Sequence, residues 1–107
     1  MARENVAMFV LDRAHFHHMT AGDAALQREV AGLFRDQAAG WDNALAGGGD
    51  WRAAVHTLKG SARGIGLGKL AAACEAAEAE GETALPGVRA ALSEALAALD
   101  QFAADAA

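Results

Sequence analysis

His56-Thr57-Leu58-Lys59-Gly60-Ser61-Ala62-Arg63-Gly64-Ile65-Gly66 is the stretch whose reading decides the fold. On an α-helix, with about 100° between successive residues, Trp51, Val55, Leu58, Ala62 and Ile65 recur at alternating intervals of four and three. They form one apolar stripe, and such a stripe must face a core. His56 projects roughly 140° from the centre of that stripe. Lys59, Gly60 and Arg63 follow it on the same side. The spacing therefore predicts a core helix whose outer face holds a histidine in solvent with two cations beside it.

Gly60 sharpens the question. Inside a helix, glycine is about 1 kcal/mol less favourable than alanine, so its place one turn after an exposed histidine needs a reason. One reason is access: without a side chain there, a bulky group on the imidazole or the surface of another protein can come close. The other is tight packing against a neighbouring helix, with His56 an ordinary surface residue. Both are consistent with the sequence.

The composition narrows the class. A chain of 107 residues with 53% hydrophobic content is expected to be one domain over residues 1–107; at this size it buries about 60 to 70% of its unfolded surface in one core. One proline, no tyrosine and long alanine and leucine runs favour helix throughout, so the expectation is an all-α protein. A formal charge of −5, with nine dispersed basic residues, argues against nucleic-acid binding. Cys74 is the only cysteine, which excludes an intrachain disulfide and a thiol cluster for metal. The apolar run Val6 to Leu11 is too short to span a bilayer, and Arg89, Glu94 and Asp100 interrupt the last helix. A cytoplasmic protein with no membrane contact is the expectation.

Outward from the central stretch, the punctuation is regular. Residues 1–8 carry no pattern and are expected to fray. Leu11 to Met19 reads as a short helix, with Phe9, Phe16 and Met19 as its apolar contacts. His15 and His18 share a helical face, with His17 between them. No cysteine and only Asp12 among carboxylates sits near, so a solvated face is favoured over a metal site. Asp23 is placed to cap a long helix, in which Leu26, Val30, Leu33, Phe34, Trp41 and Leu45 give an inward stripe. Over about 22 residues this element would be on the order of 33 Å long, the longest arm of the bundle. Gly47-Gly48-Gly49 ends it, and Asp50 caps the helix that carries His56.

Gly64, Gly66 and Gly68 superficially suggest a phosphate-binding loop. The match fails: Arg63 stands where glycine is needed, Leu70 where serine or threonine is needed, and no strand precedes them. A helix end and a tight turn account for the same glycines. Leu67, Leu70, Cys74 and Ala77 then form an inward stripe with Cys74 as a small buried apolar residue. Gly81-Glu82-Thr83 breaks the chain, Thr83 is a candidate cap, and Pro86 suits a first turn. Val88, Leu92, Leu96, Leu99 and Phe102 form the last stripe. Four substantial helices with short connections predict an antiparallel up-and-down four-helix bundle, with a short extra N-terminal helix across one end.

His56-x-x-Lys59-Gly60-Ser61-Ala62, with Gly66 ten residues after the histidine and Leu70, Cys74 and Glu78 at helical spacing beyond it, closely resembles the histidine-containing phosphotransfer (HPt) domain family. Gly22-Asp23, Leu33-Phe34 and Gly49-Asp50 extend the resemblance over roughly residues 10–102. It implies a histidine phosphotransfer protein of a bacterial phosphorelay. His56 would be the phosphoryl acceptor, Lys59 would offset its charge, Gly60 would leave room for it, and Glu78 would bond the other ring nitrogen. Arg63 is a candidate second cation. For Glu78 the alternative is a plain surface glutamate, since Glu75 and Glu82 lie in the same sequence. One departure is Ala77, which stands where many relatives carry leucine.

The chemistry agrees with this reading. Neutral imidazole is nucleophilic near physiological pH because its unperturbed pKa is about 6.5. Phosphoryl transfer through a loose transition state mainly requires positioning and positive charge. The sequence has no nucleotide-binding motif, no acidic cluster for Mg²⁺ and no proline box of the kind found in histidine-kinase dimerisation helices. The resemblance therefore implies a relay intermediate rather than an autonomous kinase or enzyme, working as a monomer with no cofactor of its own. Mg²⁺ and the aspartate would be supplied by a response-regulator receiver domain, with a hybrid histidine kinase as the other partner. Arg52, Ala53, Thr57, Gly60 and Gly64 would form the docking face. Two alternatives belong to other classes. A non-phosphorylated four-helix adaptor would have no need of His56 and Lys59, and a metal-binding bundle would need inward Glu-x-x-His ligands that are lacking.

Overall fold

In the computed structural model, which describes residues 9–106, helices α1 (Arg13–Met19), α2 (Ala24–Gly40), α3 (Asp42–Leu45), α4 (Trp51–Ile65), α5 (Gly68–Glu80) and α6 (Leu85–Ala106) follow in order. A 3₁₀ turn, Glu82–Ala84, leads into α6. Residues 1–8, where fraying was expected, lie outside the described residues. Helices α4 and α5, α5 and α6, and α6 and α2 pack side by side. The result is the expected all-α four-helix bundle of α2, α4, α5 and α6, with α3 as a short appendage of α2.

The local signals act as the residue types predict. Asp23 Oδ1 accepts from the amides of Ala25 and Leu26 at 2.9 and 3.2 Å, and Asp50 Oδ1 accepts from Ala53 at 3.2 Å, so side chains satisfy part of the free N–H groups at two helix starts. At the far end of α4, Gly66 sits at φ +97, and the amides of Gly66 and Leu67 both return to the Ala62 carbonyl at 2.9 and 2.8 Å. Trp51, Val55, Leu58, Ala62 and Ile65 are all buried, as are Leu67, Leu70, Cys74 and Ala77 of the next stripe. Val88, Leu92, Leu99 and Phe102 are buried too, with Leu96 packed partly buried against them. Pro86 falls in the first turn of α6, and Thr83 within the 3₁₀ turn.

Helix α1 crosses the end of the bundle where α4 terminates. The amide of Asp12 donates to Gly66 O at 2.8 Å, His15 Nε2 donates to Gly64 O at 2.9 Å, and Phe16 meets Phe102 edge-on at 5.0 Å. Such an aromatic pair contributes about 0.5–1.5 kcal/mol beyond its burial. The helix starts at Arg13 rather than Leu11, because the Asp12 carboxylate accepts from the His15 amide at 3.1 Å and so sets the cap. Gly66 is where this junction is least tolerant. A Cβ there would lie 3.0 Å from the His15 ring and 3.3 Å from Asp12 Cβ, on a backbone that L side chains rarely adopt. Gly66→Ala is expected to lower unfolding free energy by about 1–3 kcal/mol, read from urea denaturation; an unchanged midpoint would refute this account of the junction.

Three expectations need correction. The long second helix is broken: α2 stops at Gly40, and Trp41 lies between it and the four residues of α3. That leaves α6, with 22 residues, longer than α2, with 17. The inward face of α2 is also rotated. Gln27, Ala31, Phe34 and Ala38 are buried, while Leu33 is 62% exposed and Leu26 38%. A polar anchor explains the rotation: Gln27 Nε2 donates to the buried Thr20 hydroxyl at 3.0 Å, and Thr20 in turn donates to Phe16 O at 2.8 Å. Buried polar atoms must be paired, so this chain fixes Gln27 inward, and Ala31 and Ala38 let α2 lie close to α6. Met19, expected as a core contact of α1, is 42% exposed.

Candidate functional site

His56 lies in the second turn of α4 with its side chain 75% exposed. Its backbone belongs to a helix anchored by Val55 and Leu58, both fully buried, so the ring is mobile only about its own torsions. From α5, the Glu78 carboxylate reaches this ring: Oε2 stands 3.2 Å from His56 Nδ1. An ionised carboxylate only accepts, so Nδ1 carries the proton and the lone pair of the neutral ring is on Nε2. The other oxygen, Oε1, accepts from Lys59 Nζ at 2.5 Å. His56, Lys59 and Glu78 thus form one connected group across the α4–α5 seam.

This arrangement corrects the picture of Lys59 as a solvent cation. Its side chain is only 16% exposed. Lys59 sits at the margin of the α4 stripe, where its aliphatic stem covers apolar surface while the ammonium emerges at Glu78. The hydrogen bond from Lys59, opposed in part by desolvation and reinforced by His56, holds the Glu78 carboxyl below its ordinary value of 4.5. Because the folded value is depressed, the stabilisation from these contacts is present above the ordinary value and is lost as pH falls through the folded one. The stability advantage of the wild type over Glu78→Gln is therefore expected at neutral pH and should shrink as pH falls below the ordinary value of 4.5. Thermal melts of both proteins across that range test it; a difference independent of pH would remove the ionised carboxylate from the account.

The residues expected to form a docking face, Arg52, Ala53, Thr57, Gly60 and Gly64, are all exposed on α4. Arg52 lays its guanidinium over the Trp51 ring at 4.3 Å. A Cβ built on Gly60 or Gly64 would meet nothing within 4 Å, which removes helix packing as the reason for Gly60. The space beside the histidine is open. Arg63 does not join the His56 group: it pairs with Glu75 on α5, a partner the sequence reading passed over. Cys74 is fully buried. Burial first, and then the nearby Glu78 charge, push its thiol up to about 12, so it stays protonated and inert.

The N-terminal histidines do not converge. His15 is bonded to the Gly64 carbonyl, the His17 ring rests against Gly22, and among the described residues no three His, Cys, Asp or Glu side chains are grouped to hold a metal ion. Between α2 and α4 runs an open, mainly apolar groove lined by Met19, Val30, Leu33, Phe34, Ser61 and Gly64, among others. It borders the same face of α4 through Gly64. Sequence periodicity missed Met19 and Leu33 as surface residues because both were counted toward the core.

Among the described residues no helix is long and apolar enough to cross a membrane. The profile of the Hpt domain matches residues 24–102. Among solved structures, the crystal structure of the histidine phosphotransferase ShpA from Caulobacter crescentus is similar, with 42% identity and a TM-score of 0.80. That match covers 91% of this chain and 93% of the ShpA chain. Among curated protein sequences, none matches the chain.

Proposed function

The chain belongs to the Hpt domain family and serves histidine phosphotransfer in a phosphorelay, and from that premise we propose that His56 is its phosphoryl carrier. The observation that carries this reading is the ring itself, three-quarters exposed with Nδ1 tied to Glu78. A proton held at Nδ1 leaves the Nε2 lone pair free to attack.

In the proposed step, Nε2 attacks the phosphorus of a phospho-aspartate on a receiver domain. The N–P bond forms as the P–O bond breaks, and the aspartate leaves as a carboxylate. The ring becomes a phosphorylated imidazolium whose Nδ1 proton stays against Glu78, which offsets the new positive charge. Run backwards, the same step returns the phosphoryl group to an aspartate. Lys59 is a positioning residue in this scheme, since it fixes Glu78. Gly60 leaves room for the phosphoryl oxygens. The receiver's own Mg²⁺ would neutralise phosphoryl charge during transfer, so this chain acts as a monomeric intermediate without kinase activity of its own. A hybrid histidine kinase is the proposed source of phosphate, in the cytoplasm.

Docking falls on the α4 face of Arg52, Ala53, Thr57, Gly60 and Gly64, extended by the exposed Met19 and Leu33. Small residues near the reactive ring and apolar ones beside it suit a transient contact with an apolar centre. Leu33→Asp is expected to slow transfer from a phosphorylated receiver about tenfold, the effect of one modest contact residue, with the melting temperature unchanged. Transfer at the wild-type rate would exclude the groove from docking. The function itself is tested by transfer profiling against the receivers and hybrid kinases of the source organism, with acid lability identifying the phosphoramidate. Binding of a receiver with no acid-labile label would instead support an adaptor.

A further inference from the structure

Both cations above His56 on α4 are already paired with carboxylates of α5: Lys59 with Glu78 and Arg63 with Glu75. The two pairs differ in how easily they part. Lys59 is 16% exposed, and its departure would leave Glu78 with only the histidine. Arg63 and Glu75 are 55% and 53% exposed, and an exposed pair of this kind favours contact by about fivefold at most. We infer that Arg63 is a cation held in reserve by Glu75, which it exchanges for the phosphoryl oxygens once His56 is phosphorylated. The inference rests on His56 as the carrier.

Three observations place Arg63 within reach. It lies seven residues after His56 on the same face, about 10 Å along the axis. Long helical side chains lean toward the N-terminus and cover the preceding turn, which here is the turn of Gly60. Nothing stands within 4 Å of where a Gly60 side chain would begin, so the path from Arg63 toward the ring is open. A phosphoryl group carries close to two negative charges and three strong acceptor oxygens, and a guanidinium meets such a group bidentately. A single exposed carboxylate is the weaker partner.

The test labels the full chain with potassium phosphoramidate, a small phosphoryl donor that needs no protein partner, and follows phosphohistidine lifetime by phosphorus NMR. Arg63→Gln should shorten the lifetime about two- to fivefold, Arg63→Lys should restore part of it, and Glu75→Gln should lengthen it. Both Gln variants lose the same ion pair, so a merely structural role would move them in the same direction. Lifetimes that shift together, or do not shift, overturn the exchange. Failure to label His56 at all would overturn the carrier assignment and the exchange with it.

Discussion

His56→Gln will not accept a phosphoryl group from a phosphorylated receiver that labels the wild type. Glutamine keeps the size and some of the polarity of histidine but has no basic nitrogen to form an N–P bond. The fold has little stake in this ring. It is 75% exposed, and its ring is bonded to Glu78, so stability should change by no more than about 0.5 kcal/mol. Loss of labelling with an unchanged melting curve is thus the expected pair of results. Histidine is also present at positions 15, 17 and 18, which supplies an internal control. The His15 ring is tied to the Gly64 carbonyl, and among the described residues no carboxylate is bonded to the ring of His15, His17 or His18. Substituting those three should leave labelling intact. Acid-labile phosphate on His56→Gln would refute the mechanism.

What could be read from the sequence depended on whether one interaction dominated locally. On α4 the apolar stripe is unambiguous, and a helix with one strong stripe has one way to face a core. The caps at Asp23 and Asp50 and the reversal at Gly66 likewise depend on neighbours in sequence. In α2 two stripes compete. Leu26, Val30 and Leu33 share one face, while Gln27, Ala31, Phe34 and Ala38 share the next. Hydrophobicity favours the first, yet the second is buried, because the hydrogen bond between Gln27 and Thr20 is a tertiary fact that periodicity does not carry. The break at Gly40 and Trp41 has a local signal, glycine, whose weight was outvoted by the leucines on either side.

The site was legible to the same degree. His56, Gly60 and Gly64 are placed by α4 alone, and they stand where the helical wheel put them. Lys59 was misread because its environment is set by α5: a cation at the edge of a stripe is drawn inward only if a carboxylate waits there. A signal existed in the charge pattern. Lys59 and Arg63 are four apart on α4, Glu75 and Glu78 are three apart on α5, and α5 returns antiparallel after a short turn. Two cations and two carboxylates at matched spacing on adjacent antiparallel helices predict two cross-helix pairs, and both are present. The consequence reaches the chemistry. The resting site is charge-balanced, so under the proposed function a phosphoryl group on His56 would add negative charge that is met only if one of these pairs opens.

Gly60→Leu separates stability from function more sharply than any other single change. Glycine at this exposed position in the middle of α4 lowers helix stability, and replacing it with leucine should raise unfolding free energy by about 0.8 kcal/mol from propensity. The first atom of the new side chain meets no clash, because a Cβ there would find nothing within 4 Å. The same side chain would stand one turn from the ring, over the space that, under the proposed function, phosphoryl oxygens and a receiver surface would enter. Displacing reacting atoms by about 1 Å can slow a positioned reaction on the order of 100-fold, and a branched side chain intrudes by more than that. The expected result is a higher denaturation midpoint together with a collapse of transfer from a phosphorylated receiver. Gly60→Ala should show both effects in smaller measure. If Gly60→Leu were stabilised and still transferred at the wild-type rate, the open space would have no part in phosphoryl transfer. If it were destabilised instead, helix propensity would not be what glycine sacrifices at this position.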